Sequence, residues 1–212
     1  MLLISIGIFI LITTTITNQL RLEIDLPARP DISENFFARV LSNLSTNSVN
    51  VQNNITLNRM YSEGKQCSRG CQVWKGRPGK ECSYTLVRED LKLEYAADIK
   101  NNTLQNCYKT VLNGDEIIKL WKWILNATYL GREKDNNGDM VDIWHQLEAD
   151  GDTSEYLENK IAVSTIDPNI PVYVKQTYRS SENSDNYVFR YYNFTTKVSE
   201  DEFKIPTKCN GV

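Results

Sequence analysis

The chain has a single histidine, His145, among 212 residues. Nucleophilic catalysis needs a base beside the nucleophile. One imidazole leaves no proton-transfer pair, and Gly-x-Ser-x-Gly, Walker and His-Glu-x-x-His motifs are all missing. No enzymatic activity and no cofactor is therefore expected. Basic residues do not outnumber acidic ones, the net charge is −3, and no basic stripe appears, which excludes a nucleic-acid surface. Cys67 and Cys71 have three residues between them and no second cysteine pair stands at zinc-finger spacing, which favours disulfides over metal. There is no internal repeat and no low-complexity tract. Past the first dozen residues no apolar run approaches the ~20 residues of a membrane-spanning helix, so a membrane span is not expected.

The one long apolar run is Leu2 to Ile12, followed by threonines from Thr13 to Thr17. It is short for a membrane span and fits the apolar region of a signal peptide. Thr15 and Thr17 are small enough for cleavage near Asn18, although no Lys or Arg precedes the run. The alternative is a buried N-terminal strand. The expected organisation is a signal peptide over 1–18 and one domain over 26–209, secreted or lumenal.

Two further features agree with export. Asn43, Asn54, Asn101, Asn126 and Asn193 each begin an N-x-[ST] sequon. Cys67, Cys71, Cys82, Cys107 and Cys209 all lie beyond the apolar run, which suits an oxidising compartment. Five cysteines allow two bridges and one leftover, free or paired with another chain. Cys82 and Cys107 bracket strands that can fold back as a hairpin, which suggests a bridge between them. The Gly-, Lys- and Arg-rich stretch from Gly70 to Cys82 reads as a stapled loop.

The body is mainly β. Leu91, Leu93 and Tyr95 alternate onto one face. From Met140 to Leu147, Val141, Ile143, His145 and Leu147 face one way and Met140 and Trp144 the other, so His145 reads as a core histidine. Val172 to Tyr178 and Tyr187 to Phe194 form a strand pair across the polar loop Ser180 to Asn186, with Pro168 and Pro171 just before it. Phe36 to Leu44 fits helix or strand. From Asp115 to Thr128, Ile117, Leu120, Trp121, Ile124, Leu125 and Thr128 recur at helical spacing. Asp115 would cap that helix and Gly131 would stop it. Asn126 would then face solvent beside Lys119 and Lys122, and Trp123 would fold down beside neighbouring strands. The expected class is α+β: a curved antiparallel sheet, a half-open β-barrel, with one main helix packed on its concave face. That concavity can be filled by the helix or can hold an apolar ligand.

Two features bear on binding. Glu133 to Gly138 begins like an EF-hand loop, but its twelfth position is Trp144 where a bidentate Glu is needed. It reads as a solvated turn, as does the cluster Glu148, Asp150 and Asp152, where weak calcium binding is the alternative. Tyr187 to Phe194 is the densest aromatic run. If the strand continues to a glycosylated Asn193, the inner face is Val188, Arg190, Tyr192 and Phe194, and Arg190 can pair with a ligand carboxylate or phosphate. If the strand bends before Asn193, Arg190 stays outside and needs no buried partner.

Ala127-Thr-Tyr-Leu-Gly131-Arg-Glu133 followed by Gly138-Asp-Met-Val-Asp-Ile-Trp144 resembles the core motif of eukaryotic LolA-like domains, which are related to ependymins and bacterial lipoprotein carriers. Leu93-Glu-Tyr95 through Asn106-Cys107 is similar to the middle hairpins of that domain. Pro171-Val172, Tyr191-Tyr-Asn-Phe194 and Phe203 to Cys209 resemble its end. The Cys67 to Cys82 insertion departs from the pattern. The resemblance implies a half-open barrel, helices on the concave side, an apolar pocket and a non-catalytic role in binding lipid or another hydrophobic molecule. A pocket of that kind would draw on Trp121, Ile124, Trp144, Val188, Arg190 and Tyr192. The alternative is an extracellular adhesion or interaction module with a protein partner.

Overall fold

The structure is a computed structural model that describes residues 26–46, 53–62, 64–73, 79–113, 119–149, 156–180 and 184–211. The signal-peptide run, positions 115–118 of the expected helix, and Asp150 and Asp152 lie outside the described residues.

Eleven strands form one sheet: β1 Phe36–Thr46, β2 Asn53–Ser62, β3 Lys65–Val73, β4 Glu81–Arg88, β5 Leu93–Lys100, β6 Thr103–Val111, β7 Thr128–Lys134, β8 Met140–Ala149, β9 Tyr156–Ser164, β10 Pro171–Arg179 and β11 Ser184–Thr195. Every neighbouring pair is antiparallel. The order is β6-β5-β4-β3-β2-β1-β11-β10-β9-β8-β7, so the first and last strands of the chain meet at the centre and β6 and β7 are open edges. The sheet is curved and not closed. Among the described residues no helix is long and apolar enough to cross a membrane.

The expected strands with the clearest alternation form: β8 covers Met140–Ala149, and β10 and β11 pair across the polar loop. The ambiguous Phe36 stretch is a strand because Phe36, Ala38 and Val40 are all fully buried at a spacing of two. Leu91 departs from its expectation. It lies in a 3-10 turn, exposed, and only Leu93 and Tyr95 join β5.

The expected helix over 115–128 is corrected. Its described part is a 3-10 turn, Lys122–Asn126, and β7 already begins at Thr128. The buried residues Trp121, Ile124 and Ala127 recur every three positions, the period of a 3-10 turn rather than of an α-helix. Leu125, assigned to the apolar stripe, is 65 % exposed. Trp and Ile lose side-chain freedom in a helix, and Glu34 fixes the start instead: its carboxylate accepts the N–H groups of Leu120 and Trp121, each at 3.1 Å. Gly131 sits inside β7 at φ 138°, where the register with β8 shifts, and acts as a bulge rather than a helix stop. The fold is therefore β throughout the described residues, with short 3-10 turns.

The stretch from Gly70 to Cys82 is stapled as expected, but its ends are strand rather than loop. Its ends belong to β3 and β4, and Cys71 stands directly opposite Cys82 and is bonded to it. The second bridge joins Cys107 to Cys209. The expected Cys82–Cys107 bond is ruled out by topology: β5 lies between β4 and β6. Two strand steps separate the chains by about 9–10 Å, past the roughly 7 Å Cα limit of a disulfide. Cys67 is the free cysteine, buried beside Tyr84.

The sheet is covered on opposite faces in its two halves. Phe36 pairs with Tyr61 and Phe37 with Met60. Phe36 and Tyr61 belong to a core that includes Val40, Tyr191, Val174, Ile161, Val163 and Trp144, sealed by Trp121, Ile124 and Ala127. Phe37 and Met60 point the other way, to a core of Cys67, Leu86, Tyr95 and Ala97 sealed by Phe203 and Cys209 of the C-terminal tail. Each fully buried side chain of this size contributes about 1.5–3 kcal/mol. Arg88 fixes the tail by donating to the Phe203 carbonyl at 3.0 Å, and Lys65 pairs with Glu200 at 2.6 Å.

Candidate functional site

Strand register places one continuous row of facing residues across the sheet from β1 to β7, apolar from β11 onward. Ser42 of β1 stands opposite Phe189, Phe189 opposite Val174, Val174 opposite Ile161, Ile161 opposite Trp144, and Trp144 opposite Tyr129. One flank is aromatic. Phe36 stacks on Tyr61 at 5.3 Å and on Phe194 at 5.1 Å, and Trp121 packs 5.7 Å from Phe36 and 5.5 Å from Tyr191. The other flank is polar: Tyr187, Gln176, Asn159 and Gln146 stand opposite one another in sequence. There Gln176 donates from Nε2 to Asn159 Oδ1 at 2.9 Å. The row thus lies between an amide ladder and an aromatic wall.

The cover over this face is narrow. Among the described residues it consists of Ile32 and the segment from Leu120 to Ala127, tied by Glu34 at its start and by Arg29, whose guanidinium donates to the Leu125 carbonyl. Tyr187 and Phe189 remain half-buried, stacked at 6.3 Å with their planes 4° apart. Several buried polar atoms here have no partner among the described residues: Trp121 Nε1, Trp144 Nε1, Arg59 Nε and Gln146 Oε1. Unpaired buried donors and acceptors are uncommon in folded proteins.

Of the residues assigned to a pocket, Trp121, Ile124 and Trp144 come together in this core. Val188, Arg190 and Tyr192 do not: they alternate with Phe189 and Tyr191 and lie on the opposite face. Arg190 rests 5.8 Å over the Tyr173 ring and Tyr192 is 43 % exposed. The strand breaks its alternation at Asn193, which takes φ 52°. β1 and β11 lose register at the same place, Phe37 facing Thr195 and Arg39 facing Tyr192. This one-residue bulge returns Phe194 to the core while Asn193 stays exposed. The bend thus falls at Asn193 and leaves Arg190 outside. Strict alternation missed Phe189, Tyr191 and Arg59 as contributors to this face.

Arg59 stands opposite Ala38 and carries its guanidinium 5.3 Å over the Phe189 ring. Among the described residues no carboxylate pairs with it. The Tyr191 hydroxyl is pushed well above the usual tyrosine range, first by burial, with Arg59 pulling the other way. Tyr61 is raised for the same first reason, again opposed by Arg59, and donates to Gln66 at 2.9 Å.

The remaining assigned groups are placed as follows. His145 shares a face with Val141 and Ile143 and lies 3.2 Å from Glu158, partly exposed rather than sealed in a core. The Glu133 to Gly138 turn uses Asp135 internally: its carboxylate accepts from the backbone of Asn137 and Asp139 at 2.8 and 2.9 Å. Asn126, Asn101 and Asn193 are exposed, whereas Asn43 is half-buried in central β1 with a buried, unpaired Oδ1. Trp123 folds against the core.

No family model and no curated protein sequence matches the chain. Several solved structures are similar to it, among them two as follows. One is a domain described as an outer membrane lipoprotein-sorting protein from Vibrio parahaemolyticus, at 10 % identity and a TM-score of 0.34, covering 83 % of this chain and 92 % of that one. The other is a DUF1329 family protein from Desulfovibrio piger, at 8 % identity and a TM-score of 0.30, covering 82 % of this chain and 91 % of that one. Scores this low do not establish a shared fold, so the architecture rests on the strand order and register given above.

Proposed function

We propose that the protein is a secreted, non-catalytic glycoprotein that holds a lipid or other hydrophobic molecule against the aromatic face of β1 and β11 through β7. The observation that carries this reading is the row from Phe189 to Tyr129: an apolar surface that crosses β11, β10, β9, β8 and β7, covered among the described residues by Ile32, one 3-10 turn and its flanks. Half-buried Tyr187 and Phe189 at its margin and indole N–H groups within it, unpaired among the described residues, suit a ligand with an apolar body and a few polar atoms. The motif resemblance to LolA-like domains supports the same class of ligand. Two disulfides support folding in an oxidising compartment, and exposed sequons support glycosylation.

A second reading, an extracellular interaction module, is favoured by edge strand β6, where Tyr108 and Val111 are 62 % and 61 % exposed. Such edges add partner strands readily. Mass spectrometry of the protein from its native source, under native and denaturing conditions, separates the two. A non-covalent mass lost on denaturation supports the carrier. A bare polypeptide mass with no extractable lipid supports the module.

A further inference from the structure

Two of the groups on the aromatic face that are unpaired among the described residues, Arg59 and Trp121, share one chemistry, unlike the acceptor Gln146 Oε1. Arg59 offers a guanidinium, its Nε buried and without a partner, and Trp121 offers an indole N–H that is buried and equally unpartnered, on a residue 4 % exposed. Both are donors only. They lie against rings of one strand face: Trp121 is 5.5 Å from Tyr191, and the Arg59 guanidinium is 5.3 Å over Phe189. Glu34, whose charge also acts on Tyr61, is already held by two backbone N–H groups at the start of the cover. A cation on an apolar surface without an anion is unfavourable, and a bound anion relieves it through charge-assisted hydrogen bonds.

We infer that Arg59 is the head-group anchor of the site, and that the ligand is an amphiphile with an anionic carboxylate or phosphate head and an alkyl or similarly apolar body lying along the Phe189–Trp144 row. The guanidinium sits 5.3 Å over Phe189, the first ring of that row, so head and body are adjoining parts of one surface. The inference rests on the hydrophobic-ligand reading and adds the charge of the ligand to it. It also moves the anion-binding role from Arg190, which lies on the other face, to Arg59.

The test is equilibrium dialysis of the wild type, Arg59→Gln, Arg59→Lys and Arg190→Gln against laurate, dodecyl phosphate and dodecanol, all below micellar concentration. Wild type should bind at least one anion about ten- to a hundredfold more tightly than dodecanol, the scale of a charge-assisted hydrogen bond. Whichever of laurate and dodecyl phosphate binds more tightly identifies the head. Arg59→Gln should remove that preference and leave dodecanol binding unchanged, Arg59→Lys should keep most of it, and Arg190→Gln should match wild type. Equal binding of dodecanol and both anions by the wild type overturns the inference and leaves the hydrophobic-ligand reading standing, a result that needs no variant to fold. So does an anion preference that survives Arg59→Gln or is lost in Arg190→Gln. Failure to bind any of the three removes both.

Discussion

The carboxylate of Glu34 accepts the backbone N–H of Trp121 at 3.1 Å, joining the approach to the first strand to a turn 87 positions later in the chain. Together with the Leu120 contact it satisfies two donors that a short turn leaves open. This pair sets the position of the cover over the aromatic face. Glu34→Ala should cost about 1–3 kcal/mol, the penalty for stranding buried donors. Urea unfolding followed by tryptophan emission measures it, and amide exchange should accelerate between Leu120 and Ala127 ahead of the β8 and β9 amides. Unchanged exchange in that segment would contradict the assignment.

The two disulfides should differ in weight. Cys107–Cys209 closes 102 residues of sequence and Cys71–Cys82 closes 11. Loop-closure entropy favours the longer by about 1.5–2 kcal/mol. Replacing Cys107 and Cys209 with Ala should therefore lower the urea midpoint more than replacing Cys71 and Cys82. Non-reducing peptide mapping checks the pairing first, and a peptide linking Cys82 to Cys107 would contradict the topology.

Acid should loosen the β7–β8 pair through Asp142. Arg132 donates to its buried carboxylate at 2.9 and 3.0 Å and Tyr129 at 2.9 Å. The Arg132 bonds, aided by Tyr129 and opposed by burial, hold this carboxyl below the usual range. The unfolded chain therefore takes up the proton more readily than the folded one. The stability supplied by this group is complete above about pH 4 and is lost as the pH falls through the lower folded value. Asp142→Asn should lower stability at pH 7 and show a shallower acid decline than wild type in urea titrations across pH 2 to 7 (approximate range,).

Cys67 should resist alkylation. Burial, against a weaker opposing hydrogen bond from Tyr84, pushes its thiol up to about 11. Iodoacetamide at about pH 8, below the usual thiol range, should leave it unmodified in the folded protein and label it once denatured. Rapid native labelling would show that the C-terminal tail opens over Phe203.

Glycan mapping of protein from a secretory host should find Asn101, Asn126 and Asn193 modified and Asn43 bare. The first three are exposed, Asn101 in a two-residue β5–β6 turn with φ 49° and its neighbour Asn102 at 61°. Asn43 is half-buried mid-strand. Occupancy at Asn43 would contradict the placement of β1.

What was legible in the sequence depended on alternation. β8 reads clearly because Val141 and Ile143 are buried on one face and Trp144 on the other. β3 and β4 were hidden because apolar residues are sparse there, and the side chains that cover Cys67 and Leu86 come from the distant C-terminal tail. Ile117, Leu120, Trp121 and Ile124 fit a helix because a short window does not separate a period of 3.6 from one of three. Half of the assigned pocket followed the wrong face of β11, since a single left-handed asparagine at 193 reverses the alternation without any local sequence break. Arg59 was invisible for a related reason: only the register of β2 against β1 brings it beside Phe189.

The most direct test of the central claim is photo-crosslinking with a diazirine-bearing long-chain fatty acid, followed by peptide mapping. The account predicts label on β11, β8 and the Leu120 to Ala127 segment, displaced by excess laurate. Label confined to β6 or the C-terminal tail, or label that laurate does not displace, would contradict it.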